Sequence, residues 1–288
     1  MHYGLILSTM GPSSDPTLLA TLAAEAERAG WDGVFVPDVV DLGGEPPHET
    51  SDPWISMAAM AVATTTIRLG PIVAVLPRHR PWNLARMATT LDRLSNGRLI
   101  LGVGIGDSSD PTLRAHRERG NEEIAEARTR AEQSDEILAI LDGLWSGEPF
   151  SFNGDHYTLA KTTFVPTPVQ RPRIPIWVGW QWPNRRPVTR AARWDGAVPF
   201  AIDETGGYAH VSAQDLTALD ASLREGRDPG APPVELVAWF PSVRRDADFL
   251  AETQAMETAG VAWLLQSVES AATAVELEAV IAAGPPRP

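Results

Sequence analysis

The chain has 288 residues with 37 acidic against 24 basic side chains, and its net charge of −13 leaves no basic footprint for nucleic acid or an anionic membrane surface. It contains no cysteine, which excludes disulfides, thiolate catalysis and cysteine-ligated zinc. Lys161 is its only lysine, so a Schiff-base mechanism has that residue or none.

The first ten residues lack the basic segment and apolar length of a secretory signal, and no apolar run nears the ~20 residues of a membrane span. A cytoplasmic chain without membrane insertion is the expectation. Residues 4–8 predict a first strand. Asp15-Pro16 then opens an amphipathic helix in which Leu18, Leu19, Leu22, Ala23 and Ala26 recur at helical spacing, and Gly30 stops it. Residues 33–37 predict a second strand, and 55–63 an apolar helix after Asp52-Pro53. Residues 69–75 are a dense apolar run fit for a strand buried on both faces, and 98–104 are another. Between them Pro81 opens a helix, and Asn96-Gly97 closes it with residues that tolerate the left-handed backbone of a helix C-terminus.

The interval 107–173 is too long for one connection and predicts a long helix at 122–145, then a hairpin at 149–158 around Asn153-Gly154 that reads as a lid. Further strands are predicted at 174–179, 196–200, 235–240 and 261–265. A polar, Gly/Pro-punctuated insertion at 203–233 reads as a mobile loop with one short helix at 214–224. Eight strands alternating with helices make an α/β (β/α)8 TIM barrel, one domain over 1–288 with insertions after strands four and six.

In such a barrel the chemistry lies at the C-terminal strand ends. That filter selects Ser8, Thr9, Asp38, residues 73–77 with His79, 104–110, 179–186, 199–202, Pro241, Ser242 and 266–269. The run GVGIGD at 102–107 lacks the third glycine and the immediate helix of a dinucleotide fingerprint. Gly179 permits close approach of a ligand, a helix start after it offers free N–H groups, and Arg185 and Arg186 suit an anion. The available loop histidines are His79 and His48. His116, His156 and His210 are scattered, no pair has metal-ligand spacing, and no metal is expected.

The stretch LGPIVAVLPRHRPWNLARMATTLDRLSNGRLILGVGIG at 69–106 resembles the signature of the bacterial luciferase-like flavin monooxygenase family. The resemblance extends through EAERAGWDGVFVPD at 25–38, SDPWISMAAMAVATTTIRLG at 51–70, residues 136–157 and residues 172–196. It implies a flavin in the barrel mouth, with Ile72, Val73 and Ala74 as a bulged strand end against its ring, in some members through a non-proline cis peptide. Gly104 gives close backbone access, Asp107 faces the ring's pyrimidine edge, and Gly179, Trp180, Asn184, Arg185 and Arg186 hold phosphate or ring edge.

Family members commonly carry an Asp-His pair after strand two; here Asp38 is followed by Val39. A proton donor must therefore come from another loop, His79 or His48, with Asp38. The implied reaction is a two-component monooxygenation using reduced FMN from a separate reductase, with O2 and a small organic substrate, and with Trp54, Trp82, Trp180 and Phe200 keeping the pocket dry. The alternatives are hydride transfer with coenzyme F420 and a flavin-binding protein without turnover. Absence of a lysine or carboxylate at several strand ends argues against an unrelated phosphosugar isomerase or aldolase. A homodimer through helices near the start of the barrel, residues 55–63 among them, is implied by the resemblance alone.

Overall fold

The computed structural model describes residues 1–39, 49–106, 126–205, 207–268 and 273–287. β1 (His2–Ile6) leads to α1 (Pro16–Arg28), whose N-terminus is capped by Asp15 accepting from the Thr17 amide. Gly30 takes φ +86° and turns the chain into β2 (Gly33–Val36). Asp52 caps α2 (Pro53–Ala63) in the same way, accepting from the Ile55 amide. β3 (Arg68–Pro71) and β4 (Ala74–Val75) are two pieces of one strand, followed by α3 (Pro81–Leu94) and β5 (Leu101–Gly104). α4 (Ala127–Trp145) and the hairpin β6 (Phe150–Asn153) and β7 (Thr158–Thr162) come next. The remainder runs β8 (Ile176–Gln181), α5 (Val188–Ala191), β9 (Gly196–Ile202), β10 (Tyr208–Ala209), α6 (Ala213–Glu225), β11 (Glu235–Phe240), α7 (Ala247–Thr258), β12 (Val261–Ser267) and α8 (Ala274–Ala282).

The barrel strands pair in parallel in the order β3-β2-β1-β12-β11-β9-β8-β5-β4. β3 pairs with β2 and β4 pairs with β5, so the sheet nearly closes on itself, helped by a lone bridge between Leu69 and Leu99. Alternation along the strands separates two apolar layers. One plugs the barrel with Ile6, Phe35, Ile100, Trp177, Val198, Val237, Trp263 and Leu265; the larger fills the space between strands and helices.

Three carboxylates organise connecting turns by collecting backbone N–H groups. Glu27 receives those of Thr65, Thr66 and Ile67; Asp92 receives those of Val169 and Gln170; Glu136 receives those of Asp155, His156 and Tyr157. Burial pushes the Glu27 carboxyl up, but the N–H donors of Thr66, Ile67 and Thr65 outweigh it and bring the group down to about 2. Glu136 thereby fastens the β6–β7 turn to α4, and Phe150 packs over Gly143 of the same helix. The hairpin expected as a lid is thus docked on α4, while the insertion expected as a mobile loop contributes β10, at the barrel rim, and α6.

Candidate active site

The plug gives way to a more open layer one step nearer the C-terminal strand ends. Two residues beyond buried Trp177, Val198, Val237 and Leu265, the same inward positions hold Gly179, Phe200, Trp239 and Ser267, all half-buried. Ile72 and Trp239 pack down on the plug. The mouth therefore has an apolar floor.

The Ile72-Val73 peptide is cis, and both side chains lie along the inner wall. A Cβ built on Gly102 would meet Ile72 Cδ1 at 2.7 Å; on Gly104 it would meet Val73 Cγ2 at 2.7 Å, and on Gly179 Val73 Cγ1 at 2.8 Å. The room beside Gly179, expected for a ligand, is filled by the Val73 methyl groups. Ala74 is fully buried in the strand–helix layer and cannot offer its side chain to the mouth.

Alternation also corrects the reading of Trp180. With Trp177 inside the barrel, Trp180 turns outward; it is buried in the strand–helix layer, its Nε1 without a hydrogen-bond partner. Of the other residues expected to keep the pocket dry, Phe200 faces the mouth, Trp54 stands over His79, and Trp82 is 39% exposed on α3.

Asp38 and His79 are brought together. Asp38 extends beyond β2 and accepts from the Val75 amide at 3.2 Å, replacing a ladder bond at the broken strand. His79 Nε2 lies 3.3 Å from Asp38 Oδ2, with the two side chains 16% and 8% exposed. Arg78 donates to the Asp38 carbonyl at 3.2 Å, and the Trp54 ring stands edge-on to His79 at 6.2 Å. A carboxylate oriented by an amide and facing an imidazole is an arrangement for proton transfer. His48 and Asp107 lie outside the described residues.

After β8 the loop turns on Asn184, whose amide bonds the Gln181 carbonyl and whose Oδ1 accepts from the Arg186 amide. Asn184, Arg185 and Arg186 are exposed, and neither guanidinium has a partner among the described residues. The expected helix start is only the single turn of α5, so it supplies no row of free N–H groups. What remains for an anion is the pair of free arginines.

On the side of the mouth formed by β9 and β11, Phe200 was foreseen but Tyr208 and Trp239 were not. Phe200, Tyr208 and Trp239 meet there as an aromatic cluster, with Tyr208 carried in by β10. The only sequence signal for Tyr208 was an aromatic residue inside a polar, Gly-rich segment. Arg130 was missed as well: it reaches from α4 to the carbonyls of Ile105 and Gly106 and holds the end of β5.

At the opposite end of the barrel a cleft of about 330 Å³ is lined by Met1, His2, Tyr3, Asp32, Glu257 and Arg287. Its charges are mutually paired, Met1 with Glu257 and both His2 and Arg287 with Asp32. Nearby, burial raises the carboxyl of Glu235 above the usual range, and Trp177 Nε1 donates to it at 3.0 Å. In this architecture that end serves stability. Among the described residues no group of histidines and carboxylates converges as metal ligands, and no helix is long and apolar enough to cross a membrane.

Residues 3–280 match the family model described as luciferase-like monooxygenase. Over 195 residues the chain is 32% identical to an uncharacterized protein of Mycobacterium tuberculosis, covering 62% of this chain and 65% of that protein. It is 31% identical over 218 residues to the F420-dependent glucose-6-phosphate dehydrogenase of Nakamurella multipartita, covering 73% of this chain and 58% of that enzyme. The match thus spans less than two thirds of the length of either relative.

Among solved structures, the coenzyme F420-dependent tetrahydromethanopterin reductase of Methanopyrus kandleri superposes with a TM-score of 0.73 at 15% identity, covering 98% of both chains. The oxygenating constituent of 3,6-diketocamphane monooxygenase from Pseudomonas putida, in complex with FMN, gives 0.60 at 20% identity, covering 82% of this chain and 66% of that one. At these identities the two structures show a shared fold.

Proposed function

Because this chain belongs to the luciferase-like monooxygenase family, we propose that it is a hydride-transfer oxidoreductase that interconverts a small alcohol and its carbonyl compound with coenzyme F420. The observation that carries this reading is the 3.3 Å contact of His79 with Asp38. Oxidising an alcohol releases a hydride from carbon and a proton from oxygen, and the proton needs an acceptor. The deazaflavin coenzyme supplies the hydride acceptor when bound. His79 takes the hydroxyl proton; with Nε2 turned to Asp38, Nδ1 is the nitrogen that exchanges it. Asp38 holds the ring in place.

The residues fit a flat, largely apolar ring. Ile72 and Val73 make a smooth half-buried floor beside glycine-lined strands, and Arg185 and Arg186 provide free cations for a phosphate-bearing tail. The F420-dependent relative at 31% identity supports the choice of coenzyme.

A second reading, monooxygenation with reduced FMN and O2, is favoured by the apolar mouth of Ile72, Val73, Phe200 and Trp239, which would shield a reactive flavin from water. It requires a separate flavin reductase as partner. The Asp38–His79 couple sets both above a flavin-binding protein without turnover.

We further propose a homodimer through α2, which leaves Ile55 and Val62 exposed at 64% and 72%, one heptad apart on one face.

Titration with coenzyme F420 and with oxidised and reduced FMN, followed by absorbance and fluorescence, tests the reading. Preference for F420 with alcohol-dependent reduction is the expected result. Preference for reduced FMN with oxygen uptake moves the assignment to the second reading, and binding of neither removes both.

A further inference from the structure

We infer that Phe200, Tyr208 and Trp239 form a substrate subsite for an uncharged compound carrying a planar apolar ring. The inference rests on the oxidoreductase reading for the reaction performed there, and on separate geometry for the ring. From β4 the barrel order runs β5, β8, β9, β11, so Phe200 and Trp239 stand on strands opposite the broken strand that carries Ile72 and Val73. The Asp38–His79 couple and the apolar floor are thus on one side of the mouth, and the aromatic cluster faces them across it.

The cluster is held rigidly. Phe200 and Tyr208 have ring centroids 5.6 Å apart, Phe200 and Trp239 6.0 Å, and Tyr208 and Trp239 5.2 Å, all steeply inclined. Trp239 Nε1 donates to Ser267 Oγ at 2.7 Å, which fixes the indole plane. Tyr208 is positioned by a short flap in which Tyr208 and Ala209 pair antiparallel with Ile202 and Ala201. Asp203 closes the flap by accepting from the amides of Thr205 and Gly207, and at the flap's far end His210 stacks on Phe240 at 4.5 Å.

This arrangement is not ordinary core. One layer below, Val198 and Val237 are 3% and 0% exposed, whereas Tyr208 is 47% exposed and its two partners are half-buried. Three inclined rings, two pairs of them edge-to-face, across the mouth from an acid–base couple present the surface on which another planar ring packs well, with an electron-rich face meeting a ring edge. The three rings themselves offer no cationic group to an anionic substrate. A phosphorylated sugar is therefore disfavoured at this wall, and an aryl-substituted alcohol or ketone is favoured.

The test is titration of the coenzyme-free protein with acetophenone, cyclohexanone and glucose 6-phosphate, read by ligand-observed NMR, for the wild type and Tyr208→Ala, Tyr208→Phe and Trp239→Leu. Acetophenone is expected to bind most tightly, to weaken about threefold to tenfold in Tyr208→Ala and Trp239→Leu, and to be unchanged in Tyr208→Phe. Glucose 6-phosphate binding more tightly and weakening in Tyr208→Ala and Trp239→Leu, or acetophenone affinity indifferent to both truncations, overturns the subsite. Ring binding as expected with no turnover on loading with F420 or FMN keeps the subsite and removes the coenzyme reading. Turnover indifferent to Tyr208 and Trp239 does the reverse.

Discussion

His79 Nε2 lies 3.3 Å from Asp38 Oδ2, joining residues 41 positions apart at the end of the broken strand. The imidazole beside Asp38 comes from the loop that follows β4. Replacing His79 by Ala is expected to lower kcat by about 10²- to 10⁴-fold with little change in coenzyme affinity. Asp38→Asn, which keeps an acceptor for the Val75 amide, should cost less. Steady-state kinetics that separate kcat from KM check this, and an unaltered kcat in His79→Ala returns the histidine to a structural role.

Val73 and Gly179 form a lock-and-notch pair. Gly179→Ala puts a methyl 2.8 Å from Val73 Cγ1 and is expected to destabilise by about 1–3 kcal/mol through overpacking. Adding Val73→Ala should restore at least half of that loss, because the colliding methyl is gone. Denaturant unfolding of the two single variants and the double variant measures the coupling; strictly additive effects would place the strain elsewhere.

Arg185 and Arg186 are exposed and lack partners among the described residues. Converting both to Ala should leave stability within about 0.5 kcal/mol. The same change is expected to weaken a phosphate-bearing coenzyme about tenfold through lost charge-assisted bonds. Isothermal titration and thermal melts read the two effects separately.

Glu27 sets an acid limit. Its folded value of about 2 lies below the ordinary 4.5, so the unfolded chain takes up the proton first. Its contribution is complete above pH 4.5, declines as pH falls, and is gone near pH 2. The group is partly exposed and solvent screening reduces the effect. Glu27→Gln should melt below the wild type at pH 7, with the gap in Tm closing toward pH 2. A gap independent of pH would show that the charge is not what matters.

Ile55→Asp with Val62→Asp should convert a dimer to a monomer without loss of helix content, as measured by light scattering and circular dichroism. An unchanged mass would move the interface off α2.

The strands and caps were legible because their signals are local. Apolar runs, Asp-Pro starts and Asn96-Gly97, with φ 56° and 80°, state their conformations within a few residues. The site was legible only where it followed from position along a strand. Asp38 and His79 were both selected as strand-end groups, yet their contact depends on how far the loop after β4 folds back. At Gly179 the sequence shows an absent side chain and not Val73, the neighbour that stands beside it. Trp180 was misread because the alternation could be counted only once Trp177 was known to face inward. Tyr208 was invisible because the pairing of β10 with β9 is a rim contact with no periodic signature.

The strand divided between β3 and β4 makes the barrel a hoop with a clasp. The first half pairs mainly with one neighbour and the second half with the other, the Leu69–Leu99 bridge apart, and the join between them falls at Ile72 and Val73, where the proposed coenzyme floor lies. A ring resting there would span the clasp and draw its two ends together. Occupancy of the mouth and closure of the hoop then share one equilibrium, and each contribution of binding energy is also resistance of the whole wall to opening.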